Sequence, residues 1–231
     1  LVLGIDCSGE TYSVGLWSST GLSLEAAGFQ PRKALREIST AIAFVLTTAG
    51  VKAGDLSAVG VTQGPGSFTG VRLGITVAKT TAMVAKCPVC PWDTLELLAH
   101  QGLPAASLGT AAVALDARRG ELYCGLFRRL GQGASLEAVL PTDVREPAQF
   151  QLAMSECAAL DIAVGSGFEA YPDLLNPAWS GPRLSSRRDS APSGLVIAQL
   201  SAAHPERNIR AQDLSPVYHR RADIQVQPGP G

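Results

Sequence analysis

The chain has 231 residues, enough for one large domain or two small lobes whose core needs no disulfide support. Nineteen Lys plus Arg against twenty Asp plus Glu leave a net charge of −1, which excludes binding nucleic acid by bulk electrostatics alone. Charged residues make up only 17%, below the usual quarter, so part of the surface is expected to be neutral or covered by a partner.

The chain opens with an apolar strand, Val2 to Asp6, whose acidic last residue and lack of a basic leader argue against a signal peptide. A turn at Ser8-Gly9-Glu10 leads to a second strand, Tyr12 to Trp17, and Leu22 to Ala27 completes a meander. Lys33 to Gly50 has helical spacing, with Leu35, Ile38, Ile42, Val45, Leu46 and Ala49 on one face and Gly50 as the stop. The longest charge-free part of it, Ile38 to Val51, falls short of the ~20 apolar residues of a membrane span. Ala58 to Thr62 reads as a strand, and a Gly/Pro loop from Gln63 to Phe68 opens a helix from about Thr69 to Lys86. A short strand (Val89 to Trp92) and a short helix (Thr94 to His100) follow.

The neutral stretch Gln101 to Thr110 is the expected lobe boundary, giving an N-terminal lobe over 1–103 and a C-terminal lobe over 104–231. The last helix, Gly194 to Ala203, is a candidate to pack back on the first lobe. Ala112 to Asp116 restarts the opening pattern, and Asp6 and Asp116 stand 110 positions apart. Each is followed by a turn and an alternating strand, which implies two copies of one α/β unit, the second thinner in helices. Gln225 to Gly231 is rich in Pro and Gly and is expected to be disordered.

Asp6 with Ser8-Gly9 has the makings of a phosphate turn, with backbone N–H groups facing an anion, or of an ordinary capped turn. The matching second turn, Asp116-Ala117-Arg118-Arg119-Gly120, puts two arginines where a phosphate cradle would need Gly. Gly64-Pro65-Gly66-Ser67-Phe68-Thr69-Gly70 lacks the Gly-Lys-Ser/Thr of a nucleotide loop, so an anion at the helix start competes with a rigid turn capped by Ser67 or Thr69. Cys87 and Cys90 supply two zinc ligands at most, and His100, His204 and His219 are scattered, so no metal is expected and no nucleophile can be assembled. Five cysteines without framework spacing suit a reducing cytoplasm.

The two long helices carry more uncharged surface than one lobe's core uses. Thr40, Ala43, Phe44, Thr47 and Thr48 stand opposite the core stripe of the first. In the second, only Arg72, Lys79 and Lys86 are charged between Gly70 and Lys86, and Gly70 and Gly74 would admit another backbone. Ala43, Phe44, Thr47, Gly70, Arg72, Gly74 and Val77 are therefore the candidate partner contacts.

Four segments, Leu3 to Ser8, Gly64 to Gly74, Ala114 to Tyr123 and Leu214 to Tyr218, resemble in order the TsaB (YeaZ) family of bacterial tRNA modification proteins. The resemblance implies an α/β, actin-like and sugar-kinase-like fold with two related lobes. It implies a non-catalytic subunit that pairs through its two N-terminal-lobe helices with a TsaD-like subunit and works with a TsaE-like ATPase in threonylcarbamoyladenosine formation. It further implies a homodimer when alone, tRNA reached only through the complex, and no membrane association. No tightly bound cofactor is expected. The cleft formed by Asp6, Ser8, Gly9 and Asp116 is a candidate weak site for ATP or ADP. The Ala34-Leu35-Arg36 segment departs from the family's frequent His-Ser-Glu. A superfamily ATPase or small-molecule kinase using Asp6 and Asp116, and a peptidase, are the alternative readings.

Overall fold

A computed structural model describes residues 1–29, 34–103, 106–131, 135–157, 159–176, 179, 181–184 and 191–220. The side chains of residues 34, 35, 183 and 184 lie outside that description, as do Lys33 at the expected helix start and the expected tail from Gln225.

Alternating apolar residues build the first sheet from β1 (Val2–Asp6), β2 (Thr11–Trp17), β3 (Ser23–Phe29), β4 (Ala58–Thr62) and β5 (Val89–Trp92). Its order is β3-β2-β1-β4-β5, antiparallel across the meander and parallel from β1 to β5. The second sheet comprises β6 (Gly109–Arg118), β7 (Glu121–Arg129), β8 (Glu137–Arg145), β9 (Ile162–Val164) and β10 (Arg183–Leu184). Its order, β8-β7-β6-β9-β10, repeats the first with the same strand senses. The duplication expected from the two Asp-ended strands is therefore present strand for strand, and the fold is α/β, actin-like and two-lobed.

Leu3, Ile5, Val14, Leu16, Val59 and Val61 point to one face of the first sheet, where α1 (Ala34–Ala49) and α2 (Phe68–Ala85) cover them with Ile38, Ala41, Val45, Val71, Ile75 and Ala78. The α1 helix ends as its sequence predicts: Gly50 takes φ +68°, and Gly50 and Val51 donate to the Thr47 and Leu46 carbonyls.

The opposite face belongs to the last helix, α6 (Gly194–Ala203), which lies across β1, β2 and β4. Gly4 pairs in register with Gly15 on one side and Gly60 on the other, so three glycines form a row across the sheet. A methyl group on Gly4 would sit 2.0 Å from the Gly194 carbonyl oxygen, and one on Gly15 would sit 2.1 Å from the Leu195 nitrogen. The row is a trench that only glycine leaves deep enough for α6. Glu25 anchors the helix start by accepting from the hydroxyls of Ser13 (2.7 Å) and Ser193 (2.6 Å) and from the Leu195 amide (3.3 Å), a carboxylate at the positive end of a helix.

The exchange is reciprocal. The helix that follows β5, α3 (Thr94–Gly102), packs Leu95, Leu98 and Ala99 on Ala111, Val113, Ile162 and Val164 of the second sheet. The other face of that sheet is closed by α4 (Pro147–Ser155) and α5 (Gly167–Ala170) through Phe150, Met154 and Phe168. Among the described residues these second-lobe helices are shorter than α1 and α2, in line with the thinner second copy.

Candidate functional site

The four segments that carry the family resemblance meet in space. The first is the turn after β1. Asp6 is fully buried, and its Oδ1 accepts from the Thr62 hydroxyl (2.6 Å), the Ser8 hydroxyl (2.7 Å) and the Ser8 amide (3.1 Å). Its other oxygen, Oδ2, has no hydrogen-bond partner. Burial raises its pKa to about 6 against the lowering pull of those three donors and of the Cys7 amide. Thr62, at the end of β4, is a contributor that spacing could not identify, because only the parallel pairing of β1 and β4 brings it there.

The Gly64–Phe68 loop, which contains a cis Gly64–Pro65 bond, closes over this turn. The Ser67 amide donates to the Ser8 carbonyl at 2.7 Å, and a methyl group on Gly66 would lie 2.3 Å from that same oxygen. Ser67 is the cap of α2, accepting from the Gly70 amide at 3.3 Å. The two Ser8 donors are thus spent on Asp6, and the Ser8 carbonyl is covered by the Gly66–Ser67 backbone. Asp6 has no exposed surface with which to meet a ligand, while Gly9 is exposed and contributes no cradle of its own.

Asp116 lies in the second lobe's equivalent turn, and its own hairpin occupies it. Its Oδ1 accepts from the Arg118 amide at 2.8 Å, and its Oδ2 pairs with the Arg118 guanidinium at 3.2 Å. Asp6 and Ser8 are thus engaged with each other and with Thr62, and Asp116 with its own hairpin.

The fourth segment straps the lobes together. The Val217 amide donates to the Gln63 carbonyl at 2.9 Å, and the absence of a side chain on Gly64 lets the Val217 carbonyl approach. The Arg72 Nε–H donates to the Tyr218 hydroxyl at 2.7 Å, and its guanidinium lies 3.8 Å from the centroid of the Phe68 ring. Two residues on, Arg220 reaches the second lobe, pairing with Glu121 and donating to the Arg118 carbonyl at 3.4 Å. Phe68, Glu121 and Tyr218 lie in three of the four resembling segments, which were the available signal for them, and Arg220 lies two residues past the last.

The expected partner residues divide into two groups. Ala43, Phe44 and Thr47, with Thr40 and Thr48, lie on the exposed face of α1, and Phe44 keeps 57% of its surface in solvent. Arg72 is exposed on α2, on the same side as Thr76, Thr80, Met83 and Val84. Gly70, Gly74 and Val77 face inward instead, and the expectation for them is corrected. A methyl group on Gly70 would meet the Cys7 carbonyl at 2.0 Å, and one on Gly74 would meet the Cys7 side chain at 3.4 Å. The close approach that Gly70 permits is that of α2 to the residue after β1, while at Gly74 a methyl would make ordinary contact. Val77 is only 8% exposed and belongs to the first-lobe core.

Among the described residues, no group of three His, Cys, Asp or Glu is arranged to hold a metal. Cys87 and Cys90 are free thiols, both pushed up in pKa by burial. Among the described residues no helix is long and apolar enough to cross a membrane.

Residues 18–212 match the family model of TsaD, tRNA N6-adenosine threonylcarbamoyltransferase. The chain is 33% identical to the Escherichia coli tRNA threonylcarbamoyladenosine biosynthesis protein TsaB over 179 residues, covering 75% of this chain and 74% of that one. It is 26% identical to the Haemophilus influenzae protein of the same name over 95% of this chain and 93% of the relative. Among solved structures it is similar to YeaZ from Pseudomonas aeruginosa, with a TM-score of 0.79, 27% identity and coverage of 94% of this chain and 98% of that one.

Proposed function

The chain belongs to the TsaB (YeaZ) family, and from that premise we propose that it is a non-catalytic subunit of the machinery that forms threonylcarbamoyladenosine in tRNA. In this reading it pairs with a TsaD-like subunit, works with a TsaE-like ATPase in the cytoplasm, and forms a homodimer when alone.

The observation that carries the reading is the outer face of α1 beyond Arg36, where Thr40, Ala43, Phe44, Thr47 and Thr48 are uncharged and all exposed. Such a face, continued on α2 by Thr76, Thr80, Met83 and Val84, lowers its free energy by pairing with a complementary helical surface. The turn at Asp6 supports the non-catalytic part, because both Ser8 donors are engaged by Asp6 and the Ser8 carbonyl by the Ser67 amide. No tightly bound cofactor enters the reading, and ATP or ADP would meet only the exposed groups of the cleft and bind weakly.

Co-purification from the native cell, with identification of what elutes, tests the proposal. It is supported by stoichiometric recovery of a TsaD-like chain together with an absence of ATP hydrolysis by the isolated protein. A robust ATPase that is lost in Asp6→Ala would favour the kinase-like alternative.

A further inference from the structure

The α2 helix carries positive charge and no negative charge. Arg72, Lys79 and Lys86 follow one another at intervals of seven along a segment without Asp or Glu. Seven residues advance a helix by about 10.5 Å and leave it about 20° short of two full turns, so the three cations form one row. Arg72 and Lys86 are exposed and Lys79 is half-buried. Met83, Thr76, Thr80 and Val84, all exposed, follow on one side of the row, at about 20° to 120° round the helix from Arg72. The cations therefore border the neutral face of α2 without interrupting it, as a charged rim borders an apolar patch.

None of the three is neutralised from within the chain. Among the described residues no carboxylate pairs with Arg72, Lys79 or Lys86. Arg72 donates to the neutral Tyr218 hydroxyl and lies against the Phe68 ring, contacts that fix its position and leave its charge. The short turns that touch α2, Ala53–Asp55 and Ala211–Asp213, each carry one acid. Asp55 accepts from the Lys52 amide at 2.8 Å, and Asp213 pairs with Arg210. On α1 the one acid, Glu37, stands in the first turn, and Ile38 to Ala49 are uncharged.

Resting on the subunit reading above, we propose that this row selects the partner by charge. It takes a helix of the TsaD-like subunit that presents carboxylates along one edge of an apolar stripe, and it disfavours a second copy of this chain. An isologous contact repeats one surface on both sides, so two copies meeting through α2 bring two cationic rows together with no acid between them. Those rows repel, whereas carboxylates on a partner are attracted to all three cations. Met83 and Val84, 72% and 67% exposed beside the row, give a protein apolar surface to bury and an RNA backbone nothing to bond.

The test follows two associations of the full chain over a salt series, one with the TsaD-like subunit and one with itself. Between about 50 and about 500 mM NaCl, association with the partner should slow roughly tenfold, because salt screens the attraction. The homodimer should respond in the opposite sense and tighten, because salt screens the repulsion. Lys79→Gln combined with Lys86→Gln leaves Arg72 in place to hold Tyr218. At low salt it should slow partner association by about tenfold, change dissociation by less than about twofold, and flatten the salt dependence. The same variant should form a homodimer severalfold tighter than the parent's. Arg119→Gln combined with Arg128→Gln makes an equal change of net charge on the second lobe and should change neither association.

A double variant with the parent's association rate and salt slope would overturn the proposal and leave the subunit reading standing. A homodimer that weakens as salt rises would overturn it in the same way. Loss of binding to a single-stranded RNA, with partner association unchanged, would also overturn it and assign the row to phosphates. Failure of the parent chain to bind the TsaD-like subunit at any salt concentration is failure of the subunit reading itself, and would overturn both.

Discussion

Gly66 lies over Ser8 so closely that a methyl group on it would sit 2.3 Å from the Ser8 carbonyl oxygen, while the next residue's amide donates to that oxygen at 2.7 Å. The turn after β1 is the seat of the chain's own loop. Gly66→Ala forces backbone against backbone, and overpacking of this kind costs about 1–3 kcal/mol. Urea denaturation should show that loss, and an unchanged midpoint would mean that the loop does not rest on the turn.

The buried acid beneath that loop makes stability depend on pH. The pKa of Asp6 is raised from 3.8 to about 6, so the folded state holds a proton that the unfolded state has already released. Its contribution is fully favourable below about pH 4 and is lost as pH rises through about 6. A difference of that size corresponds to about 3 kcal/mol between the protonation states. Asp6→Asn, which keeps an acceptor for Thr62 and Ser8, should remove the effect. Unfolding free energies of parent and variant, measured between pH 4 and 7, should converge at the acid end and separate in the variant's favour towards neutrality. Parallel curves would show that Asp6 titrates normally.

The glycine trench predicts that the first lobe depends on the end of the chain. Gly15→Ala would place a methyl group 2.1 Å from the Leu195 nitrogen and push α6 off the sheet. The stability loss should exceed 3 kcal/mol, the upper end of roughly 1–3 for ordinary overpacking, because the obstacle is helix backbone. Hydrogen exchange should report lost protection in β1, β2 and α6 together. Loss confined to α6 would show that the helix is an accessory cover.

Most of the strands and helices were legible, because each carries a local signal: the Gly50 stop, the Gly/Pro loop that opens α2, and the two Asp-ended strands. What periodicity could not reveal is which sheet a helix covers. The return of α6 to the first sheet was already a candidate, but the crossing of α3 to the second rests on contacts between distant parts of the chain. Gly70 and Gly74 announced a close approach without saying to what, and the answer is Cys7 in their own lobe. Val77 was equally ambiguous, because nearly all sides of α2 are uncharged and pattern alone does not say which one faces the sheet. The left-handed Arg118 and Arg119 contradict local preference, so propensity pointed away from them.

That division gives a matched pair of variants. Val77→Glu buries a charge in the first-lobe core and should cost several kcal/mol, enough to unfold the chain. Ala43→Glu, on the exposed face of α1, should leave the circular dichroism spectrum and melting temperature unchanged. Equal stability of the two variants would show that α2 does not pack as described.

The central claim, that the uncharged part of the α1 face from Thr40 to Thr48 seats a partner subunit, is tested most directly by the affinity of Ala43→Glu for the TsaD-like chain, measured by titration calorimetry beside the parent. A folded variant whose affinity falls by a hundredfold or more, about 2.7 kcal/mol, is the predicted result, because the new carboxylate would be buried without a partner. A folded variant that binds with the parent's affinity would contradict the claim and place the interface elsewhere on the molecule.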